Sequence, residues 1–185
     1  MSLPHGLLGL LSYSDSTGYD LSKLFKDSLN FFWSAPSAQI YRELDRMEET
    51  GWVSSRSVVQ EGRPNKRLYS ITPSGREEFT RWLSDYRYKP ENPHNSMVMR
   101  IFFGAEIEPE KTIELLNEFR RKCAEDLESM QTTAIQNIEM YGQAVPGGEF
   151  KKAYWRITVG VGILELRGLV EWAEQSIETL KGRIG

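Results

Sequence analysis

At 185 residues, with 39% hydrophobic and 26% charged side chains, the chain suits one ordinary domain or two small ones of a soluble protein. A net charge of −3 excludes a uniformly basic, histone-like binder. The lone cysteine, Cys123, excludes an intrachain disulfide and fits a reducing compartment. No apolar run approaches the roughly 20 residues that cross a bilayer, and no basic segment precedes the Leu-rich start. A cytoplasmic protein with no membrane partner is therefore expected. Residues 1–88 hold 11 Lys and Arg against 11 Asp and Glu, and residues 89–185 hold 12 against 15. Phosphate contacts dominate DNA affinity, so with a neutral N-terminal half any such contact must come from local clusters.

Leu3 to Ser12 is apolar almost all round, with Leu7, Leu8, Leu10 and Leu11 separated by Gly6 and Gly9. This predicts a helix buried between two layers, with Leu7 and Leu11 as candidates for a dimer interface as well. Tyr13-Ser14-Asp15-Ser16 reads as a turn, and Thr17 with Asp20 has the form of a capping box. Leu21, Leu24 and Phe25 give the next helix its core face. Phe31-Phe32-Trp33 follows in a non-helical stretch, where adjacent aromatics are expected chiefly to pack the domain.

Pro36 suits a helix's first turn; Ile40, Leu44 and Met47 recur at helical spacing, and Gly51 is placed to stop the run. The opposite face carries Gln39, Arg42 and Arg46, with Tyr41 beside them. Trp52 to Gln60 has strand composition, Glu61 to Asn65 is a turn, and Lys66 to Ile71 returns as a second strand with Tyr69 and Ile71 on one face. Thr72 and Pro73 then open a helix whose face is Phe79, Trp82, Leu83 and Tyr86. A helix followed at once by a hairpin with a basic tip outlines a winged helix-turn-helix, with Arg63, Lys66 and Arg67 clustered at the wing.

The Pro- and Asn-containing stretch after Tyr88 is the natural boundary. It gives a DNA-binding domain over residues 1–87, a linker over 88–95 and a helical dimerisation domain over 96–185. In that second part Met97 to Phe103 reads as a short helix, and Glu108-Pro109-Glu110 opens a long one with an imperfect apolar repeat. Gln143 to Glu149 breaks it. The last helix carries two apolar stripes: Tyr154, Ile157, Val161, Leu164 and Gly168, and Ile163, Leu166, Val170, Ala173, Ile177, Leu180 and Ile184. Two seams imply cover on two sides, for which a second copy of the chain is the economical source. The expected interface residues are Ile163, Leu166, Val170, Ile177 and Leu180.

The sequence offers no recognisable catalytic motif. His5 and His94 have no Cys or carboxylate at metal-ligand spacing, Cys123 lies on an apolar stripe, and Gly160-Val161-Gly162 sits inside a helical pattern. Neither an enzyme nor a cofactor or metal is expected.

Four segments, in order, resemble the PadR-type transcriptional regulators. They are Gly18-Tyr19-Asp20-Leu21, Gln39-Ile40-Tyr41-Arg42-Glu43-Leu44, Gly62-Arg63-Pro64-Asn65-Lys66-Arg67-Leu68-Tyr69 and Thr72-Pro73-Ser74-Gly75-Arg76. The resemblance implies a ligand-responsive repressor that binds DNA as a homodimer, through a winged helix-turn-helix joined to a C-terminal helical dimerisation domain. The expected fold is thus mainly α with a small β-hairpin wing. Gln39 and Arg42 carry groups suited to adenine and guanine edges, Ser37 and Tyr41 suit phosphates, and Arg63 suits a narrow minor groove. Tyr19, Arg46, Lys66 and Arg67 complete the expected DNA contacts. A two-fold protein calls for a pseudo-palindromic operator in double-stranded DNA. By the same resemblance a small aromatic effector is expected, with Phe32, Trp33, Trp155 and Trp172 as candidates to line its site. The competing reading is a winged-helix module that binds protein partners and no nucleic acid.

Overall fold

A computed structural model describes residues 3–59, 65–85 and 95–184. The chain divides into two compact units. The first holds α1 (Leu3–Leu11), β1 (Ser16–Thr17), α2 (Gly18–Ser28), α3 (Ser37–Glu49), β2 (Val53–Val58), β3 (Lys66–Ile71) and α4 (Pro73–Ser84), and Met140–Glu149 groups with it. The second holds α5 (Ser96–Phe102), α6 (Pro109–Ser129), a π-helical turn at Met130–Ala134, the start of α7 (Ile135–Ala144), and all but the first two residues of α8 (Gly148–Ile184). Among the described residues no helix is long and apolar enough to cross a membrane.

Local chemistry sets the helix ends of the first unit. The Thr17 hydroxyl oxygen accepts from the Asp20 amide at 3.1 Å and caps α2, and its hydroxyl donates to the Asp20 carboxylate at 2.6 Å. Thr72 caps α4 in the same way through the Gly75 amide, with Pro73 at the first helical position. Pro36 stands one residue earlier than expected, as the extended residue that precedes α3. At the other end of α3, Gly51 has φ of 76°, its amide donates to Glu48 O, and the Trp52 amide donates to Met47 O. That pair of bonds is a Schellman stop, which the absence of a Cβ makes inexpensive.

The sheet has three strands in the order β1-β3-β2, all antiparallel. The hairpin runs from Val53 opposite Ile71 to Val58 opposite Lys66. Ser16, expected in a turn, pairs instead with Tyr69, and the capping Thr17 pairs with Leu68, along the other edge of β3. A two-residue strand is too short to show alternation in the sequence, yet it satisfies backbone groups that an open edge would leave unpaired.

One core joins α1, α2, α3 and the sheet: Leu7, Leu8, Leu21, Phe25, Ile40, Leu44, Met47, Val53 and Tyr69. Leu7 is 0% and Leu11 2% exposed inside this core, which corrects the expectation that they face a second chain. Neither can reach a partner unless its own unit opens. Phe79 packs on the same core, whereas Leu83 on α4 is exposed.

In the second unit Leu116 of α6 packs with Ala173 and Ile177 of α8, flanked by Met97, Ile101, Ile113, Phe119, Trp172 and Leu180. The expected single helix after Pro109 is interrupted by the π-helical turn, in which Met130 and Ala134 are buried. Met130 in that turn lies over Gly162; a Cβ there would stand 2.6 Å from its Sδ and Cε. Of the two stripes on α8, the covered one is therefore the one assigned to a dimer. Ile177 is 5% exposed against its own chain, and Leu180 packs beside it. The uncovered stripe is Tyr154, Ile157, Val161 and Leu164, continued upward by Phe150. Ile163, Leu166 and Val170, in the same stripe as Ile177, are half-buried.

Candidate nucleic-acid interface

The interface is built on α3, whose inner face of Ile40, Leu44 and Met47 fixes its rotation on the core. At 100° per residue that rotation turns Gln39, Arg42, Asp45 and Arg46 outward, and all four are exposed. Gln39 and Arg42 lie on adjacent turns of this outer face, and Arg46 continues it toward the C-terminus. Ser37 is the first residue of α3, and its Oγ lies 2.7 Å from Ser22 Oγ of α2. Tyr19 is in the first turn of α2 and is 72% exposed. Tyr41 is exposed on the flank of α3, with its ring against Gly18 at the start of α2. The hydroxyls of Tyr19, Ser37 and Tyr41 and the N-termini of two helices thus lie in one unit with the outward-facing Gln39 and Arg42. Such groups suit phosphate oxygens, and the Gln and Arg suit base edges.

The wing separates its three expected contacts. Arg63 lies outside the described residues. Lys66 opens β3 and is exposed. Arg67 is turned toward α3: Nη1 donates to Asp45 Oδ1 at 3.1 Å, Nη2 to Glu48 Oε2, and Nε to Ser55 Oγ at 2.6 Å. Ser55 Oγ in turn donates to Glu48 Oε1 at 2.7 Å, and the guanidinium sits 5.1 Å from the Tyr69 ring centroid. Arg67 is thus engaged within the protein, unlike a free phosphate contact. Burial raises the Tyr69 phenol above its ordinary value, and the Arg67 charge pulls in the opposite direction. Sequence reading missed this cluster; its available signal was the pair of acids at Asp45 and Glu48, three residues apart on one helix flank.

A second cluster ties α1 to α4. His5 Nε2 is 3.0 Å from Glu78 Oε1, and the imidazole stacks on Trp82 at 4.6 Å and 9°. Glu78 also accepts from Arg81. Hydrogen bonds from His5 first and Arg81 second hold the Glu78 carboxyl below its ordinary value.

The aromatic residues expected to hold an effector fall in both units. Phe32 and Trp33 are exposed in the turn after α2, against the expectation that they pack the domain. Trp155 is half-buried on α8, and Trp172 meets Phe119 edge-on at 5.8 Å in the second core. Seventeen residues of helix put about 25 Å between Trp155 and Trp172, too far for one small ligand within a single chain.

The family model for the transcriptional regulator PadR-like family matches residues 7–81, and that for the virulence activator alpha C-terminal region matches residues 94–181. The negative transcriptional regulator PadR of Bacillus subtilis is 30% identical over 129 residues, 70% of this chain and 71% of that protein. The probable transcriptional regulator Rv1176c of Mycobacterium tuberculosis is 45% identical over 85 residues, 46% of this chain and only 45% of its own length. The fold superposes on Bacillus subtilis PadR solved with operator DNA, with a TM-score of 0.77 at 23% identity, covering 97% of this chain and 99% of that one. The same protein solved with p-coumaric acid gives 0.73 at 22% identity, covering 98% and 99%. The chain belongs to the PadR-like family of transcriptional regulators.

Proposed function

We propose that the protein is a repressor that acts as a homodimer on double-stranded DNA, and that it has no enzymatic role. The observation that carries this reading is the outward face of α3, where Gln39, Arg42 and Arg46 stand clear of the core beside the exposed hydroxyls of Tyr19, Ser37 and Tyr41. In this reading α3 enters the major groove, Gln39 and Arg42 read bases, and Tyr19, Ser37, Tyr41 and Lys66 hold phosphates. Arg63 remains assigned to the backbone or minor groove. The dimer forms through the exposed Tyr154, Ile157, Val161 and Leu164 stripe of α8, which replaces the covered stripe as the interface. Bacillus subtilis PadR has been solved with operator DNA and with p-coumaric acid. By extension this chain takes a small aromatic effector, with Phe32 and Trp33 of the first unit, or Trp155 of the second, as the aromatic candidates. A regulator of this kind works in the cytoplasm.

Selection of genomic DNA with the purified protein, followed by footprinting, tests the reading. The expected result is a protected pseudo-palindrome with half-sites about one helical turn apart, or a multiple of it. No enrichment above random fragments would leave the protein-binding winged helix as the surviving alternative.

A further inference from the structure

Arg67 and its two acidic partners bear on how a neutral domain with an acidic reading helix binds DNA at all. The α3 segment from Ser37 to Glu49 carries Arg42 and Arg46 against Glu43, Asp45, Glu48 and Glu49. Asp45 borders the outward face that holds Arg42, and Glu48 lies one turn further along the flank nearest the wing. Two uncompensated carboxylates in that position would meet phosphates across the groove, where like charges in contact are strongly unfavourable. The side chain that meets both is Arg67, whose three donors are each directed at Asp45, Glu48 or Ser55. The planar fork of arginine can serve several acceptors at once, which a lysine cannot.

We infer that Arg67 is a positioning residue for DNA binding: it holds the wing hairpin to the recognition helix and masks Asp45 and Glu48, and it does not itself contact DNA. The inference rests on the proposed DNA-binding reading and adds a specific role for one residue of the wing. Register supports it. On β3 the side chains of Arg67, Tyr69 and Ile71 share one sheet face, the face on which Tyr69 is buried in the core. Lys66 projects to the opposite side. Neighbouring basic residues of one strand thus do different work, Lys66 outward to phosphate and Arg67 inward to α3.

The test is a mutant cycle on the full-length protein, with duplex binding followed across a salt series. Arg67→Ala is expected to weaken binding to the selected site and to random duplex alike, by roughly tenfold or more, since two carboxylates are uncovered near phosphates. Its salt slope should stay near that of the wild type, because no phosphate contact is removed. Adding Asp45→Asn and Glu48→Gln to Arg67→Ala should restore most of the affinity. A slope lowered by about one unit, with no rescue by the neutral amides, would show that Arg67 touches phosphate and would overturn the inference. A second arm needs no DNA: thermal unfolding of Arg67→Ala, Glu48→Gln and the double variant. Non-additive shifts in Tm are expected; additive ones would show that the wing is not held to α3 through this pair. If the wild type bound no duplex, the DNA-binding reading would fall with the masking role, and the unfolding cycle would still decide whether Arg67 holds the wing.

Discussion

The ring of Tyr41 on α3 lies against the backbone of Gly18 at the start of α2, so closely that a Cβ at position 18 would clash with its Cε1. This contact sets the approach of the two helices whose N-termini present Tyr19 and Ser37. Gly18→Ala should push the ring outward. Because Tyr41 is already partly exposed, the loss of stability should be small, about 1 kcal/mol by thermal unfolding. DNA affinity should fall further than Tm does. Tyr41→Ala placed on Gly18→Ala should return the lost stability, and equal Tm values for the single and double variants would show that the contact carries no strain.

The reassigned dimer interface makes opposite predictions for the two stripes of α8. Ile157→Glu with Leu164→Glu alters side chains that are 69% and 68% exposed in the single chain. Sedimentation should find a monomer, and circular dichroism should find its helices intact. Ala173→Glu with Ile177→Glu buries charge in the chain's own core and should unfold the second unit. A stable dimer from the first pair would refute the assignment.

Acid stability should depend on Glu78. Its carboxyl is held below its ordinary value of 4.5 by His5 and Arg81. The folded value is thus lower than the unfolded one, so the stabilisation is complete above the unfolded value and disappears as pH falls through the folded value. Glu78→Gln should cost about 1–2 kcal/mol near neutral pH, the scale of a charged hydrogen bond, and progressively less in acid. Urea unfolding of both proteins at a series of pH values checks this. A pH-independent difference would mean that the carboxylate charge is irrelevant.

Cys123 should react slowly. Burial raises its thiol above the ordinary value, with Asp126 adding in the same direction, so little thiolate is present at neutral pH. A thiol reagent should label the native protein far more slowly than the unfolded chain. Equal rates would show that α6 opens readily at this position.

What the sequence displayed was local or periodic. The Thr17 and Thr72 caps and the Gly51 stop depend on residues within three or four positions, so their signatures survive in a linear reading. The inner face of α3 was legible because its period is helical. Contacts made at long separation were not legible. Ser16 and Thr17 join β3 some fifty residues later, and His5 meets Glu78 across 73 positions. Arg67 looked like a free basic residue because nothing in its neighbourhood announces Asp45 and Glu48. The two stripes of α8 were visible as periodicity, but which of them faces the chain's own α6 is set by packing. Hence the interface was assigned to Ile177 and Leu180, when Ile157 and Leu164 are the residues left uncovered.

In the proposed reading α3 reads DNA bases through its outward face. Binding of the wild type and of Arg42→Ala to the selected operator and to a scrambled duplex, across a salt series, tests it most directly. Arg42→Ala should lose about 1–3 kcal/mol on the operator and much less on scrambled DNA, with little change in salt slope. Equal losses on both duplexes, with a slope lowered by about one unit, would contradict it by placing Arg42 on phosphate.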